Sequence, residues 1–196
     1  MSGAGDPRRS REGVVPGAGV LGMWLFLATL AVLFAAAIAG YLVVRLEART
    51  WPPPGMPRLP GGLWAGTIAL LGASVTVHRA LRSIRLGGRT AATRWLAATL
   101  ALGASFLVIQ CWNWWGFLRL RVAGAPNLYA FTFFMLTGLH AAHVVGGVLL
   151  LAVVTGRSLR GRYGSGAHAG ITYAAMYWHF LDAVWLVLFA VLVAFA

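Results

Sequence analysis

The sequence predicts an all-α membrane protein, a bundle of five transmembrane helices with the N-terminus in the cytoplasm and the C-terminus outside. Three observations carry that prediction. Of 196 residues, 60% are hydrophobic and 10% charged, against roughly 45–50% apolar and about 25% charged in soluble domains. Five apolar runs, at about 20–44, 62–81, 95–118, 128–154 and 171–195, are each long enough to cross a hydrocarbon core of about 30 Å. The third observation is where the arginines fall.

The first segment, 1–19, is a basic tail holding Arg8, Arg9 and Arg11. Followed by an apolar run, it imitates a secretory signal. However, the run from Val20 to Val44 far exceeds the roughly 7–15 residues of a signal core, so it is read as a retained first span. Residues 20–196 then form one membrane domain, because a backbone without water must satisfy itself as helix. Turn chemistry separates the spans: Pro52-Pro53-Pro54-Gly55 and Gly61-Gly62, then Gly87-Gly88, Ala125-Pro126-Asn127 and Gly164-Ser165-Gly166.

All 16 basic residues are arginine. Eleven fall in the N-terminal tail and the second and fourth loops, and five in the first and third loops. An excess of arginine marks the cytoplasmic side, which sets the orientation stated above. Trp51, Trp64, Trp95, Trp114 and Trp115 lie near span ends, where indole rings anchor at the membrane interface. In a soluble protein the net charge of +12 would suggest nucleic acid. Distributed over loops it sets topology and attracts anionic lipid instead, so no nucleic-acid partner is expected.

The polar residues within spans need a reason. The acids are Asp6, Glu12, Glu47 and Asp182, and only Asp182 is intramembrane. A charged carboxylate at the bilayer centre costs about 2.5–3.5 kcal/mol on insertion scales, so Asp182 is expected to face protein with a histidine or hydroxyl beside it. His140 and His143 share one face of the fourth span, and His179 and Asp182 repeat that spacing in the fifth. With these spans antiparallel, the four side chains fall at similar depth and form a candidate intramembrane cluster. Three readings stand, in order: an interhelical hydrogen-bond cluster, a proton or ion relay, and a metal or haem site. Gln110 and Asn113 share a face of the third span and suggest polar helix–helix contact. Arg79, Arg82 and His168 lie at the cytoplasmic boundary, positioned for lipid headgroups. Cys111, the lone cysteine, reads as a buried apolar filler. No phosphate loop, nucleophile with a base, or internal repeat is seen, so catalysis by this chain alone is not expected.

At these residues the sequence resembles subunit III of the haem-copper oxidases. The fifth span reads Tyr177-Trp178-His179-Phe180-Leu181-Asp182-Ala183-Val184-Trp185, close to Y-W-H-F-x-D-x-V-W. The fourth carries Thr137-Gly138-Leu139-His140-Ala141-Ala142-His143-Val144, matching T-G-x-H-x-x-H-V. Tyr129, Thr132-Phe133-Phe134, Gly103, Phe106, Gln110, the Trp51-Pro52-Pro53-Pro54-Gly55 loop, Gly22-Met23-Trp24-Leu25-Phe26-Leu27, His168 and Gly170 also fall in register, so the match covers about 20–195.

The resemblance implies the short five-helix bacterial form of a non-catalytic subunit in a proton-pumping terminal oxidase of aerobic respiration. Such a subunit packs on subunit I, joins subunit II and others in the complex, contributes to assembly and binds phospholipid. It implies no cofactor in this chain, haem and copper in the partner subunits, and multi-pass residence in the bacterial inner membrane. The metal reading of the polar cluster falls behind accordingly. The family's intramembrane glutamates are replaced by Leu30, Asn113 and Thr172, so a proton role resting on them does not transfer. Two alternatives are an independent proton or ion transporter using Asp182 and the histidines, and an accessory subunit of a nitric oxide reductase.

Overall fold

The computed structural model describes residues 18–54, 59–119 and 128–195. The basic tail, the Gly55 end of the proline turn and the Ala125-Pro126-Asn127 loop lie outside those residues. Five helices follow in order: α1 (Ala18–Glu47), α2 (Gly62–Arg85), α3 (Arg89–Arg119), α4 (Leu128–Leu159) and α5 (Ala169–Ala194). Each sits on an apolar run, but α1, α2, α3 and α4 extend beyond theirs into arginine-bearing turns. A helix keeps its hydrogen bonds past the lipid boundary and stops where the chain supplies a terminator.

Glycine is that terminator twice. At the end of α2, Gly87 takes a positive φ of 81°; its N–H bonds the Ile84 carbonyl and the Gly88 N–H reaches back to Ser83. This is the Schellman arrangement, and it needs the left-handed residue that glycine supplies without strain. Gly161, φ 68°, repeats it after α4, with Gly161 bonded to Ser158 and Arg162 to Arg157. The sequence pattern points to Gly87; at the other turn it points to Gly164–Gly166, three residues beyond the glycine that carries the cap.

α2, α3, α4 and α5 close a ring, each helix packed on the next and α5 returning to α2. The α2–α3 hairpin is the most extensive pairing. α1 stands outside this ring and touches only α4 and α5. Short connections force antiparallel neighbours, the up-down-up-down order of helical bundles. Four helices, α1, α3, α4 and α5, are long and apolar enough to cross a membrane. α2 is shorter and ends in His78, Arg79, Arg82 and Arg85, which lowers its hydropathy.

Side chains on the outside of the bundle are apolar as well, for example Val32 (71% exposed), Val108 (70%) and Ile68 (70%). The helices therefore differ between faces in size and polarity more than in hydrophobicity, as expected of a surface that meets lipid or another subunit. Cys111 is exposed on that outer surface, which corrects its reading as a buried filler. The helical phase explains this: Phe106, Gln110, Asn113 and Phe117 of α3 point inward, turning positions 108, 111, 112 and 115 out.

Close approach inside the ring depends on small residues. A Cβ at Gly103 would stand 2.5 Å from Trp178 Cη2 and 3.2 Å from Val148 Cγ2, and Trp178 is fully buried. Gly22, by contrast, faces open space. Gly103→Ala is expected to lower the thermal stability of the detergent-solubilised chain by about 1–3 kcal/mol through overpacking, with Gly22→Ala unchanged in the same unfolding scan.

Candidate functional site

The residues with polar chemistry fall into two sets on different sides of α5. His140 of α4 is fully buried. Its ring lies 4.9 Å from Trp185 of α5, 5.7 Å from Phe106 of α3 and 6.2 Å from Phe34 of α1, centroid to centroid. Neither ring nitrogen has a hydrogen-bond partner. His143, one turn on, hydrogen-bonds the Leu139 carbonyl through Nδ1 at 2.7 Å and packs 5.0 Å from Phe34. Its own carbonyl accepts the Tyr177 hydroxyl at 3.0 Å. These two histidines thus bind α1, α4 and α5 together with aromatic rings around them.

His179 and Asp182 face the other neighbour, α2. His179 Nδ1 and Ser74 Oγ share a hydrogen bond of 2.6 Å, and the His78 ring is 6.2 Å away. His179 is exposed on the outside of the bundle. Asp182 is 5% exposed, as its insertion cost requires. Its carboxyl oxygens make no hydrogen bond of ordinary geometry, and the Ser74 hydroxyl is the polar side chain facing them. Among the described residues no hydrogen bond or ring contact joins the two sets, and no three His, Cys, Asp or Glu side chains converge on a point that could hold a metal. Equal depth in the membrane did not bring the four residues together, because i,i+3 spacing fixes a face but not the neighbour that face meets.

The side chains that do connect helices at this level are tryptophan and threonine. Trp185 Nε1 donates to Thr67 Oγ1 of α2 at 2.9 Å, and Thr67 in turn donates to the Leu63 carbonyl at 2.8 Å. Trp114 of α3 donates to Thr137 of α4 at 3.0 Å, and Thr137 to Phe133 O at 2.7 Å. Each threonine hydroxyl accepts from an indole while donating within its own helix, so no polar atom of the pair is left over. Sequence reading missed these bonds; the signal was there in indoles and threonines at buried phase on facing helices.

Gln110 (1% exposed) and Asn113 (4%) are buried on the inner face of α3, yet their amide nitrogens have no partner. Asn113 lies so close to Gly62 of α2 that any side chain there would collide with its Oδ1. Arg79 stacks on Trp95, with its guanidinium carbon 4.9 Å from the ring centroid. Arg82 is exposed at the same end of the bundle, and His168, the N-cap of α5, makes no capping bond with its side chain.

Comparison with known proteins settles what this bundle is. The family model described as cytochrome c oxidase subunit III matches residues 13–196. A protein named cytochrome c oxidase subunit 3 from Synechocystis is 35% identical over 175 residues, 87% of this chain and 72% of its own length. The chain belongs to the cytochrome c oxidase subunit III family. A second relative of that name, from Thermostichus vulcanus, is 33% identical over 88% of this chain and 85% of its own length. One from Branchiostoma lanceolatum is 39% identical over 71% of this chain but 53% of its own length.

The three positions where the resemblance places glutamates, Leu30, Asn113 and Thr172, are accommodated differently. Leu30 is buried in the hydrophobic core, and the Thr172 hydroxyl bonds back to the His168 carbonyl at 3.4 Å. Both positions are absorbed by packing or local hydrogen bonding. Of the three, Asn113 alone keeps a buried polar group without a partner.

His140→Leu is expected to leave the unfolding midpoint of the solubilised chain unchanged or higher, since it removes two buried unpaired nitrogens, each carrying a penalty of about 1–3 kcal/mol. Ser74→Ala should lower stability by about 0.5–1.5 kcal/mol through loss of the His179 bond. A clear drop for His140→Leu in the same thermal scan would show that the ring's fit against Trp185, Phe106 and Phe34 outweighs the cost of its unpaired nitrogens.

Proposed function

We propose that this subunit III packs directly against a haem-bearing subunit I within a proton-pumping terminal oxidase, stabilising it and contributing to assembly and lipid binding. Haem and copper belong to the partner subunits, and the donor is cytochrome c, after the names its relatives carry. Subunit II and further chains complete the assembly. The complex sits in the inner membrane of a bacterium, with α2 as the fifth crossing, the N-terminus in the cytoplasm and the C-terminus outside.

The observation that carries this reading is the polar face of α2 and α5. His179 sits ten residues into α5, roughly 15 Å along the helix at 1.5 Å per residue. Exposed imidazoles at that depth are unfavourable against lipid tails and are stable against protein or a water-filled cavity. With His78 exposed beside it, this face suits a neighbouring subunit. The arginine asymmetry supports the orientation. Arg79, Arg82, Arg85, Arg89, Arg94, Arg157, Arg160 and Arg162 crowd the end where α2 and α4 finish, against Arg45, Arg49 and Arg119 at the other among the described residues. That basic end, with Arg79, Arg82 and His168, is the place for anionic headgroups of the cytoplasmic leaflet.

The transporter and nitric oxide reductase alternatives are not favoured, since the matched relatives bear the oxidase name. The chain, tagged and extracted in mild detergent, is expected to bring down a polypeptide with Soret absorbance, while the chain purified alone shows none. Replacing the exposed His78 with leucine should reduce recovery of the haem-bearing partner without lowering the thermal midpoint of the isolated subunit, because it leaves the Ser74–His179 hydrogen bond in place. Stoichiometric haem on the isolated chain, or undiminished recovery in the His78 variant, would count against this proposal.

A further inference from the structure

The seam where α5 packs on α2 carries two imidazoles from different helices. His78 of α2 and His179 of α5 are both exposed, and their ring centroids stand 6.2 Å apart at an interplanar angle of 55°. The subunit contact proposed above uses them only as an outer surface. Their separation, the hydrogen bonds behind His179 and their place along the bundle point to a more specific chemistry.

A zinc-class ion holds an imidazole nitrogen at about 2.0–2.1 Å, which places each ring centre roughly 3.2 Å from the metal and two tetrahedral ligands about 5.2 Å apart, centre to centre. The observed 6.2 Å is wider by about 1 Å, a difference that two exposed side chains close by small rotations within their rotamer wells.

Behind His179 stands a hydrogen-bond relay that selects its tautomer. His179 Nδ1 and Ser74 Oγ are 2.6 Å apart, which leaves Nε2 as the nitrogen outside the relay. The Ser74 hydroxyl has one proton to give, and the buried Asp182 carboxyl that it faces, with no hydrogen bond of ordinary geometry to either oxygen, is an acceptor for it. With that proton directed to Asp182, Ser74 accepts from the Nδ1–H and Nε2 carries the bare lone pair that a metal requires. A histidine whose second nitrogen is held by an acceptor of this kind is both oriented and made more basic toward a metal.

The pair also has a path to water. His78 lies seven residues before the end of α2 at Arg85, about 10 Å along the helix, at the basic boundary where headgroups and water reach the bundle. Arg79 turns its guanidinium onto the Trp95 ring of α3, and Arg82, a turn beyond His78, is exposed, where its charge is screened.

We propose that His78 and His179 bind one zinc-class divalent ion that bridges α2 and α5, with Ser74 and Asp182 holding His179 in the ligating tautomer. Among the described residues no further His, Cys, Asp or Glu joins them in a group of three. Water therefore fills the remaining positions, and the site is open, unlike a closed structural zinc centre. Imidazole ligands select Zn²⁺, Cu²⁺ and Ni²⁺ over Mg²⁺ and Ca²⁺. The site is built by this chain alone and stands independently of the partner proposed above.

The test uses the full-length chain without a polyhistidine tag, purified in detergent and stripped with chelator, with Zn²⁺, Cu²⁺ and Mg²⁺ as separate probes. Zn²⁺ titrated against a chromophoric chelator is expected to occupy one site per chain, and Mg²⁺ not to compete for it. His78→Leu, which keeps the Ser74–His179 bond, should weaken Zn²⁺ binding at least tenfold, and Ser74→Ala about tenfold, the range for losing a group that orients a ligand. Paramagnetic resonance of bound Cu²⁺ gives an independent readout, with coupling to two imidazoles in the wild type and to one in His78→Leu. Thermal midpoints in chelator serve as the folding control; Zn²⁺ should raise the midpoint of the wild type and leave that of His78→Leu where it was. Equal Zn²⁺ affinity in the wild type and both variants overturns the site. So does a wild type without stoichiometric Zn²⁺, or one whose Cu²⁺ spectrum shows a single imidazole.

Discussion

One layer of side chains holds the bundle in register. Trp185 of α5 reaches the Thr67 hydroxyl of α2 with its indole nitrogen, lies 5.0 Å from the Phe106 ring of α3 and 4.9 Å from the His140 ring of α4. Phe34 brings α1 to the same level. Lipid tails are as apolar as leucine, so hydrophobicity gives no preference for helix over lipid, and specific packing with satisfied hydrogen bonds must set the arrangement. A hydrogen bond with direction and a ring stack with shape, meeting in one plane, determine rotation and height for all five helices together.

The tryptophan–threonine pairs do this without leaving polar atoms over. A threonine hydroxyl in a helix already donates to the carbonyl a turn behind, so its lone pairs face outward as an acceptor of fixed direction. Trp185 and Trp114 each use one such acceptor. Thr76 and Thr99 extend the principle between α2 and α3 at 2.9 Å, and Thr93 and Ser158 between α3 and α4 at 2.7 Å. Charged pairs would give stronger coupling in this medium but at a much larger desolvation penalty. The family motif histidines enter this scheme as shape: His140 fills an aromatic cage, and His143 ties its ring back to its own helix.

Much of this was legible in the sequence. Apolar run length located all five helices, because the bilayer imposes a minimum length that no other constraint hides. Asp182 was expected to avoid lipid, and it does, since the cost of a carboxylate in lipid is large enough to override local preferences. The partners of the polar residues were not legible. His179 binds Ser74, a serine with no distinguishing context in α2, and the split of the histidines into two sets depends on which neighbour each face meets. Cys111 was misjudged because a helix that is apolar on every face has no polar side to tell outside from inside, a contrast that water enforces and lipid does not.

α1 bears on how such a chain is made. It is the first of the described helices to be synthesised, yet its contacts run only to α4 and α5, the two most distant from it along the chain. Nothing in α2 or α3 offers it a seat. The residues it packs on therefore do not exist until α4 and α5 have been made, and Phe34 has no His140 or His143 to lie against before then. Biosynthesis runs from one end of the chain to the other, whereas the contacts of the earliest described helix are made with the two latest.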